Sequence, residues 1–132
     1  MSALRVLLDT SYLYQLMKTA AGFTDADDLI LSNPDLTVFV SAVSFWEMKI
    51  KFQTYHPSGE RKSAFDPKVV IRILEEQEVT FLPIAVAHAA TALETPIAHK
   101  DPFDEMLLAQ AQCEGLRLLT VDRNLIGHPL AI

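Results

Sequence analysis

Short apolar runs alternate along the chain with segments whose apolar residues recur at helical spacing. The runs are too brief for helices and rich in branched residues, which is typical of buried strands. They are LRVLL (4–8), TVFVSAV (37–43), VTFLPI (79–84) and LRLLTV (116–121), with PLAI (129–132) as a possible edge strand. This alternation predicts a three-layer α/β fold, with a mainly parallel sheet of about five short strands between helices.

Helical spacing fills the intervals between these runs. The last helix has signals at both ends, because Asp101 and Pro102 suit a first turn and Gly115 suits a stop. Helices are predicted near 11–17, 25–33, 44–52, 69–77, 85–93 and 101–115. The segment between the third and fourth of these, QTYHPSGERKSAFDP, mixes Pro, Gly, Ser and charge, which predicts an exposed loop.

Four acidic residues lie where predicted strands end or predicted helices begin. Asp9 follows the first strand, Glu47 lies one turn into the helix after the second, Asp104 opens a helix and Asp122 follows LRLLTV. The carboxyl ends of parallel strands meet at one edge of the sheet, so these side chains are expected to gather there. Each residue alone also suits a cap or a turn, and Ser44 to Glu47 has the S-x-x-E pattern of a capping box.

Four carboxylates at one sheet edge would repel one another and raise one another's pKa unless positive charge lies among them. Hard divalent cations answer this need, because Mg²⁺ and Mn²⁺ prefer oxygen ligands. Such ions also acidify a water molecule that can attack phosphorus. We therefore predict one or two Mg²⁺ or Mn²⁺ ions at this edge.

Four segments resemble, in order and in spacing, the conserved blocks of one protein family. They are LLDTSYL, VSAVSFWEMKIK, HKDPFDEMLLAQAQ and LLTVDRNL, and together they reach from about Val6 to Arg123. HKDPFDEMLLAQA is a specific signal, whereas a lone acidic residue after a strand is not. The blocks are similar to those of the PIN-domain family, in particular the VapC-type toxins of bacterial and archaeal toxin–antitoxin pairs.

This resemblance implies a PIN-like α/β/α fold related to nucleases, and endonucleolytic cleavage of RNA. It also implies a Mg²⁺ or Mn²⁺ site, a homodimer, and an antitoxin protein that blocks the site. The catalytic residues carried over by position are Asp9, Glu47, Asp104 and Asp122. We expect Asp9, Asp104 and Asp122 to hold the metal, with Glu47 binding a second ion or a metal-bound water.

Neighbouring polar residues are predicted to support these ligands. Asp101 is expected to cap its helix and to orient a metal-bound water, and Thr10, Ser11 and Thr120 are candidate supporting hydroxyls. Between Gln53 and Phe65 the chain departs from the family pattern, which often carries a short Gly-Lys-Leu-type segment there. Partner contacts inferred for that region therefore do not carry over.

Composition limits this picture in two ways. The chain has 132 residues, half of them hydrophobic, which is enough for the core of a single domain over 1–132. It has no run of the roughly 18 apolar residues that span a bilayer and no leader pattern at its N-terminus, so we expect a cytoplasmic protein without a membrane partner. The single cysteine, Cys113, is expected on the apolar face of a helix.

The net charge of −6 argues at first against nucleic acid, because phosphate binding normally uses a basic surface. Cations bound to the carboxylates weaken this objection. Basic and aromatic residues on or beside the 53–67 loop suit RNA phosphates and a splayed base, although an ordinary solvated loop has the same composition. These candidates are Lys49, Lys51, Tyr55, Arg61 and Lys62, with Arg123 as a further phosphate contact.

Three residues near the predicted site receive structural interpretations. Trp46 and Phe103 are predicted to anchor the core, and His99 is expected to be structural, since the histidines lack zinc-ligand spacing. A catalytically silent PIN-fold module that binds RNA or protein is the alternative function. A haloacid-dehalogenase-type phosphatase is excluded because Ser11 stands where its second Asp belongs. A receiver domain is excluded because this chain lacks the adjacent acidic residues after the first strand and the Lys after the last strand that such a domain needs.

Overall fold

The computed structural model describes residues 4–18 and 33–132, and within them strands and helices alternate as predicted. The elements are β1 (Arg5–Leu8), α1 (Thr10–Lys18), β2 (Thr37–Ser41), α2 (Ala42–Gln53), α3 (Pro67–Glu75), β3 (Val79–Leu82), α4 (Val86–Ala90), α5 (Pro102–Glu114) and β4 (Arg117–Leu119). The helix predicted over 25–33 falls mostly outside the described residues. Within residues 4–18 and 33–132, no helix has the length and apolar character needed to cross a bilayer.

The strands pair in parallel in the order β3-β2-β1-β4, so β1 is central. Val6 lies opposite Val38 of β2 on one side and Arg117 of β4 on the other. From β1 the chain builds the sheet outward through β2 and β3, then crosses back to add β4 on the opposite side. Such a reversal opens a crevice beyond the carboxyl ends of the two strands, and ligands of α/β folds bind there.

The sheet is buried on both faces, because alternate side chains of one strand enter different halves of the core. Val6 and Leu8 pack with Tyr12, Leu13 and Met48 on the face covered by α1 and α2. Leu7 packs with Leu107, Leu108 and Ala111 of α5 on the other face. A strand buried on both faces explains why LRVLL reads as a continuous apolar run. The predicted three-layer α/β fold is therefore confirmed.

Several element boundaries differ from the sequence expectation. Ser41 ends β2 and caps α2, since its Oγ accepts the N–H of Val43 at 3.0 Å, so the strand predicted to reach Val43 is shorter. Ser44 consequently lies inside α2, so the alternative interpretation of Ser44 to Glu47 as a capping box does not hold. The expected edge strand PLAI contributes a single bridge from Ala131 to Leu118, so the described residues contain four strands and not about five.

The loop predicted over 53–67 is exposed but folded back on α2. Tyr55 and Arg61 form an antiparallel bridge. The Arg61 guanidinium lies 4.2 Å from the ring centroid of Phe52 and 5.0 Å from that of Tyr55, and it donates to the Phe52 carbonyl. Another expectation is wrong, because Cys113 is exposed and does not lie on the apolar face of α5.

Gln110 is fully buried in α5 and ties that helix to the ends of two strands. Ser41 Oγ donates to Gln110 Oε1 at 2.5 Å, and Gln110 Nε2 donates to the Pro83 carbonyl at 3.3 Å. These contacts set the position of α5 along the sheet. Asp104 is carried by the same helix, so Gln110 also fixes where that carboxylate lies.

Replacing Gln110 with Leu keeps the volume and removes both contacts. We expect the free energy of unfolding to fall by about 1–3 kcal/mol, because the buried Ser41 hydroxyl loses its acceptor. Urea denaturation measures the change. The matched control is Gln53→Leu, the same substitution at an exposed helical position. Equal effects of the two substitutions would contradict the role given to Gln110.

Candidate active site

Three carboxylates converge beyond the carboxyl ends of β1 and β4. Asp9 follows β1, and its N–H donates to the Leu119 carbonyl at 2.9 Å, which holds it against the end of β4. Asp122 lies just past β4, and Asp104 lies in the first turn of α5. One carboxylate oxygen from each of the three lies within 4.8 Å of the others. We call Asp9, Asp104 and Asp122 the carboxylate cluster.

Glu47, the fourth predicted residue, lies beside the carboxylate cluster. It is 7% exposed and lines the same pocket of about 150 Å³. Its Oε2 accepts a hydrogen bond from Lys51 Nζ at 2.9 Å, one helical turn further along α2. The structure therefore brings all four predicted residues to one pocket, with Glu47 outside the closest group.

Asp9 is held by three donors from adjacent segments. The Thr10 N–H donates to Oδ1 at 2.9 Å, while the hydroxyls of Ser11 and Thr120 donate to Oδ2 at 2.7 and 2.6 Å. The Thr120 hydroxyl in turn accepts the N–H of Asp122 at 2.9 Å, so it links two members of the cluster. The two hydroxyls take up the lone pairs of Oδ2, which leaves capacity on Oδ1 for a further ligand.

The other predicted supports act on the helices. The Thr10 hydroxyl is 2.9 Å from Ser44 Oγ, so it joins the starts of α1 and α2 rather than a carboxylate of the cluster. Asp101 caps α5 as predicted, because its Oδ1 accepts the N–H groups of Phe103 at 2.9 Å and Asp104 at 3.2 Å. Asp101 also lines the pocket, and its role toward a metal-bound water stays a prediction.

The carboxylates stand in an environment that disfavours their charge. Burial raises the pKa of Asp9, and its hydrogen bonds to Ser11, Thr120 and Thr10 only partly offset this. Burial also raises the pKa of Asp104 to about 6, assisted by the charges of Asp9, Asp101 and Asp122. A cation placed among them would favour the charged form of each carboxyl group.

His99 is a contact that the sequence analysis missed, since it expected only a structural role. Its Nε2 lies 2.8 Å from Asp104 Oδ2, and this hydrogen bond raises the pKa of the imidazole. The contact leaves Oδ1 of Asp104 available. The signal in the sequence was its place five residues before Asp104, just ahead of the helix that presents that carboxylate.

Trp46 was predicted in the core and is instead 52% exposed. On α2, Glu47 faces the pocket and Met48 faces the core. Trp46, the residue before them, therefore faces solvent. Its ring meets the half-buried Phe103 edge to face, with centroids 5.4 Å apart. The pair lies next to the pocket, because Phe103 directly precedes Asp104.

The predicted RNA-binding residues separate onto different surfaces. Lys51 lines the carboxylate pocket, and Lys62 lines a groove that adjoins it. Lys49 and Arg61 line another groove together with Trp46. Arg123 is exposed beside Asp122. These residues do not form the single surface that their nearness in sequence suggested.

The donor set fits a hard divalent cation. All three ligand atoms of the cluster are carboxylate oxygens, which Mg²⁺ and Mn²⁺ prefer over softer ligands. Oxygens that share one Mg²⁺ lie about 3 to 4.2 Å apart, so oxygens within 4.8 Å of one another need to move closer together to bind one ion. The geometry therefore accommodates one ion among Asp9, Asp104 and Asp122.

The protein has a three-layer α/β fold, and its carboxylate cluster lies where the strand order reverses. These features define an α/β protein with a candidate metal site. The family model of the PIN domain matches residues 6–128. The chain belongs to the PIN-domain family, whose members are generally metal-dependent nucleases, as the sequence blocks indicated.

Solved structures show the same fold. A chain in a toxin–antitoxin complex from Klebsiella pneumoniae aligns with a TM-score of 0.63 at 22% identity, covering 96% of this chain and 95% of that one. A chain of VapBC2 from Rickettsia felis, bound to a DNA fragment from its promoter, aligns with a TM-score of 0.62 at 12% identity, covering 98% and 96%. A search of curated protein sequences gives no significant match.

The raised pKa of Asp104 predicts how stability depends on pH without metal. The folded protein binds this proton more tightly than the unfolded chain, since the pKa is about 6 against 3.8. The contribution of Asp104 to the free energy of unfolding is therefore fully present below about pH 4 and is lost as pH rises through about 6. The loss is at most about 3 kcal/mol.

Thermal and urea unfolding in EDTA test this expectation. Asp104→Asn lacks the titrating group, so it should be more stable than the natural chain at pH 7.5, and the difference should shrink toward pH 4. Glu105→Gln, an exposed charge removed from the next position of α5, is the control. An Asn variant that is less stable than the natural chain at pH 7.5 would show that the burial and repulsion of the charged Asp104 carboxylate do not dominate the site.

Proposed function

We propose that this protein is a Mg²⁺- or Mn²⁺-dependent endoribonuclease and the toxin of a VapBC-type toxin–antitoxin pair. The observation that carries the proposal is the carboxylate cluster, Asp9, Asp104 and Asp122, at the strand-order reversal of a PIN-domain chain. Membership of this family supports nuclease activity. The choice of RNA and of the toxin role rests on the VapC-like sequence blocks and on the kind of complexes in which the structural neighbours occur.

In this proposal Asp9, Asp104 and Asp122 hold the cation, and Glu47 contacts a second ion or a water. When bound, such a cation supplies a Lewis acid that withdraws charge from a phosphate oxygen and makes a water molecule more acidic. Ser11 and Thr120 orient Asp9 through its Oδ2, which directs Oδ1 toward the ligand. Asp101 caps the first turn of α5, and this places the Asp104 carboxylate beside those of Asp9 and Asp122.

The remaining polar groups control charge around a phosphate. His99 donates to Asp104 and orients it, while Lys51 balances Glu47 at 2.9 Å. Arg123 is exposed beside Asp122 and is free to approach a phosphate from solvent. Preorganised charges of this kind act most strongly in a buried pocket, because little water screens them.

RNA cleavage is the direct test. Purified protein, freed of any co-expressed antitoxin, is incubated with total RNA in EDTA, Mg²⁺ or Mn²⁺, and cleavage ends are mapped. We expect metal-dependent cuts at discrete positions, with rates lowered about 100-fold or more in Asp9→Asn and Asp104→Asn. Glu105→Gln, which neutralises the residue next to Asp104, should cleave normally.

The alternative is a catalytically silent PIN-fold module that binds RNA or protein. Folded protein that binds RNA but leaves a broad RNA panel uncut in both metals would favour this alternative. Cleavage that survives in EDTA or in both Asn variants would point instead to a contaminating nuclease and would remove the support for the proposed site.

We also propose a homodimer that binds a cognate antitoxin. The neighbours from toxin–antitoxin complexes support the partner. Exposed apolar side chains at and after the edge strand β3 support self-association, with Phe81, Ile84 and Val86 exposed by 38%, 42% and 87%. A surface of this kind is typical of protein–protein contacts.

Light scattering tests both partners in one experiment. The protein alone should have a mass of about 29 kDa, twice the 14.7 kDa of one chain. Val86→Asp should shift it toward the monomer, whereas Ile126→Asp, at an exposed apolar residue outside this surface, should not. Co-expression with the product of the adjacent gene should give a heavier complex that does not cut RNA. A monomer that gains no mass on co-expression contradicts both assignments.

A further inference from the structure

The carboxylate pocket opens at one side onto a groove of about 360 Å³. Two residues, Tyr14 and Lys51, line both the groove and the pocket, so the groove leads directly away from the carboxylates. We call it the lysine groove. It is lined by Tyr14, Lys18, Lys51, Lys62, Ser63, Ala64 and Phe65.

The lysine groove has the opposite charge to the pocket beside it. Three of its lining residues are lysines and, among the described residues, none that lines it is acidic, although the whole chain carries −6. Lys18 and Lys62 are exposed and form no salt bridge within residues 4–18 and 33–132. Within these two ranges, both side chains are therefore accessible to a ligand.

One side of the groove is aromatic. The rings of Tyr14 and Phe65 lie with centroids 5.6 Å apart, and Lys51 Nζ is 5.8 Å from the centroid of Tyr14. Lys51 marks the inner end, because it is bonded to Glu47 of the pocket. Grooves that combine basic side chains with aromatic rings are the usual sites for single-stranded nucleic acid.

We propose that the lysine groove binds the phosphate backbone of single-stranded RNA on one side of the bond to be cut. This inference rests on the proposed function. Lys51 lies nearest the scissile phosphate, and Lys62 and Lys18 meet the phosphates that follow. The lysines thus direct a polyanion toward a pocket whose own carboxylates would otherwise repel it.

The test is RNA binding without cleavage. Anisotropy of a labelled single-stranded RNA is measured over a series of salt concentrations in the Asp104→Asn background. Lys18→Gln combined with Lys62→Gln should weaken binding about 10-fold and reduce the slope of log Kd against log salt by about 1.4, since each phosphate contact contributes about 0.7. Arg72→Gln combined with Arg117→Gln removes the same charge from α3 and β4, at exposed residues that line neither the lysine groove nor the carboxylate pocket, and should leave the slope unchanged.

Cleavage kinetics in the otherwise natural chain separate this inference from the proposed function. Removing Lys18 and Lys62 should raise KM about 10-fold with kcat nearly unchanged, because the two residues bind RNA away from the bond that breaks. If cleavage depends on metal but both double variants have the same salt slope, the inference about the lysine groove is overturned and the proposed nuclease function stands. Groove variants that lose only the antitoxin complex also overturn it. A folded protein that neither binds nor cuts RNA overturns both proposals.

Discussion

The structure depends on holding three carboxylates close together where little water reaches them. Carboxylate oxygens of Asp9, Asp104 and Asp122 lie within 4.8 Å of one another, and the first two residues are 2% and 7% exposed. The fold can tolerate this repulsion because two apolar clusters, one on each face of the sheet, stabilise the elements that present these residues. Because the three carboxylates repel one another, a bound cation would affect the stability of the site as well as its chemistry.

Burial and hydrogen bonding have opposite effects on the charge of two carboxyl groups of the cluster, Asp9 and Asp104. Hydrogen bonds from Ser11 and Thr120 favour the charged form of Asp9, while burial favours the neutral form and prevails, so its pKa is raised. In Asp104 the balance leaves the pKa at about 6. Cation binding therefore competes with protons near neutrality, and the site is expected to bind metal more tightly as pH rises.

The alternation of strands and helices along the chain was predictable. A strand that is buried on both faces consists almost entirely of apolar residues, as LRVLL does. The nearness of Asp9 and Asp122 was predictable for a similar reason, since parallel strands end at one edge, whereas Glu47 and Asp104 reach that edge from the N-terminal halves of helices. The sequence did not reveal that Trp46 is exposed or that His99 contacts Asp104. The first depends on how α2 rotates against its neighbours, and the second on the path of the loop that precedes α5. Local composition determines neither.

The negative net charge first argued against nucleic acid, and the structure shows why a sum is the wrong quantity. The three carboxylates of the cluster are gathered where cations can neutralise them, while Lys18, Lys51 and Lys62 line the adjoining groove. A polyanion responds to the field along its path, and that field is set by nearby charges because salt screens distant ones within about 10 Å. A chain of −6 can therefore present a cationic approach to an anionic centre.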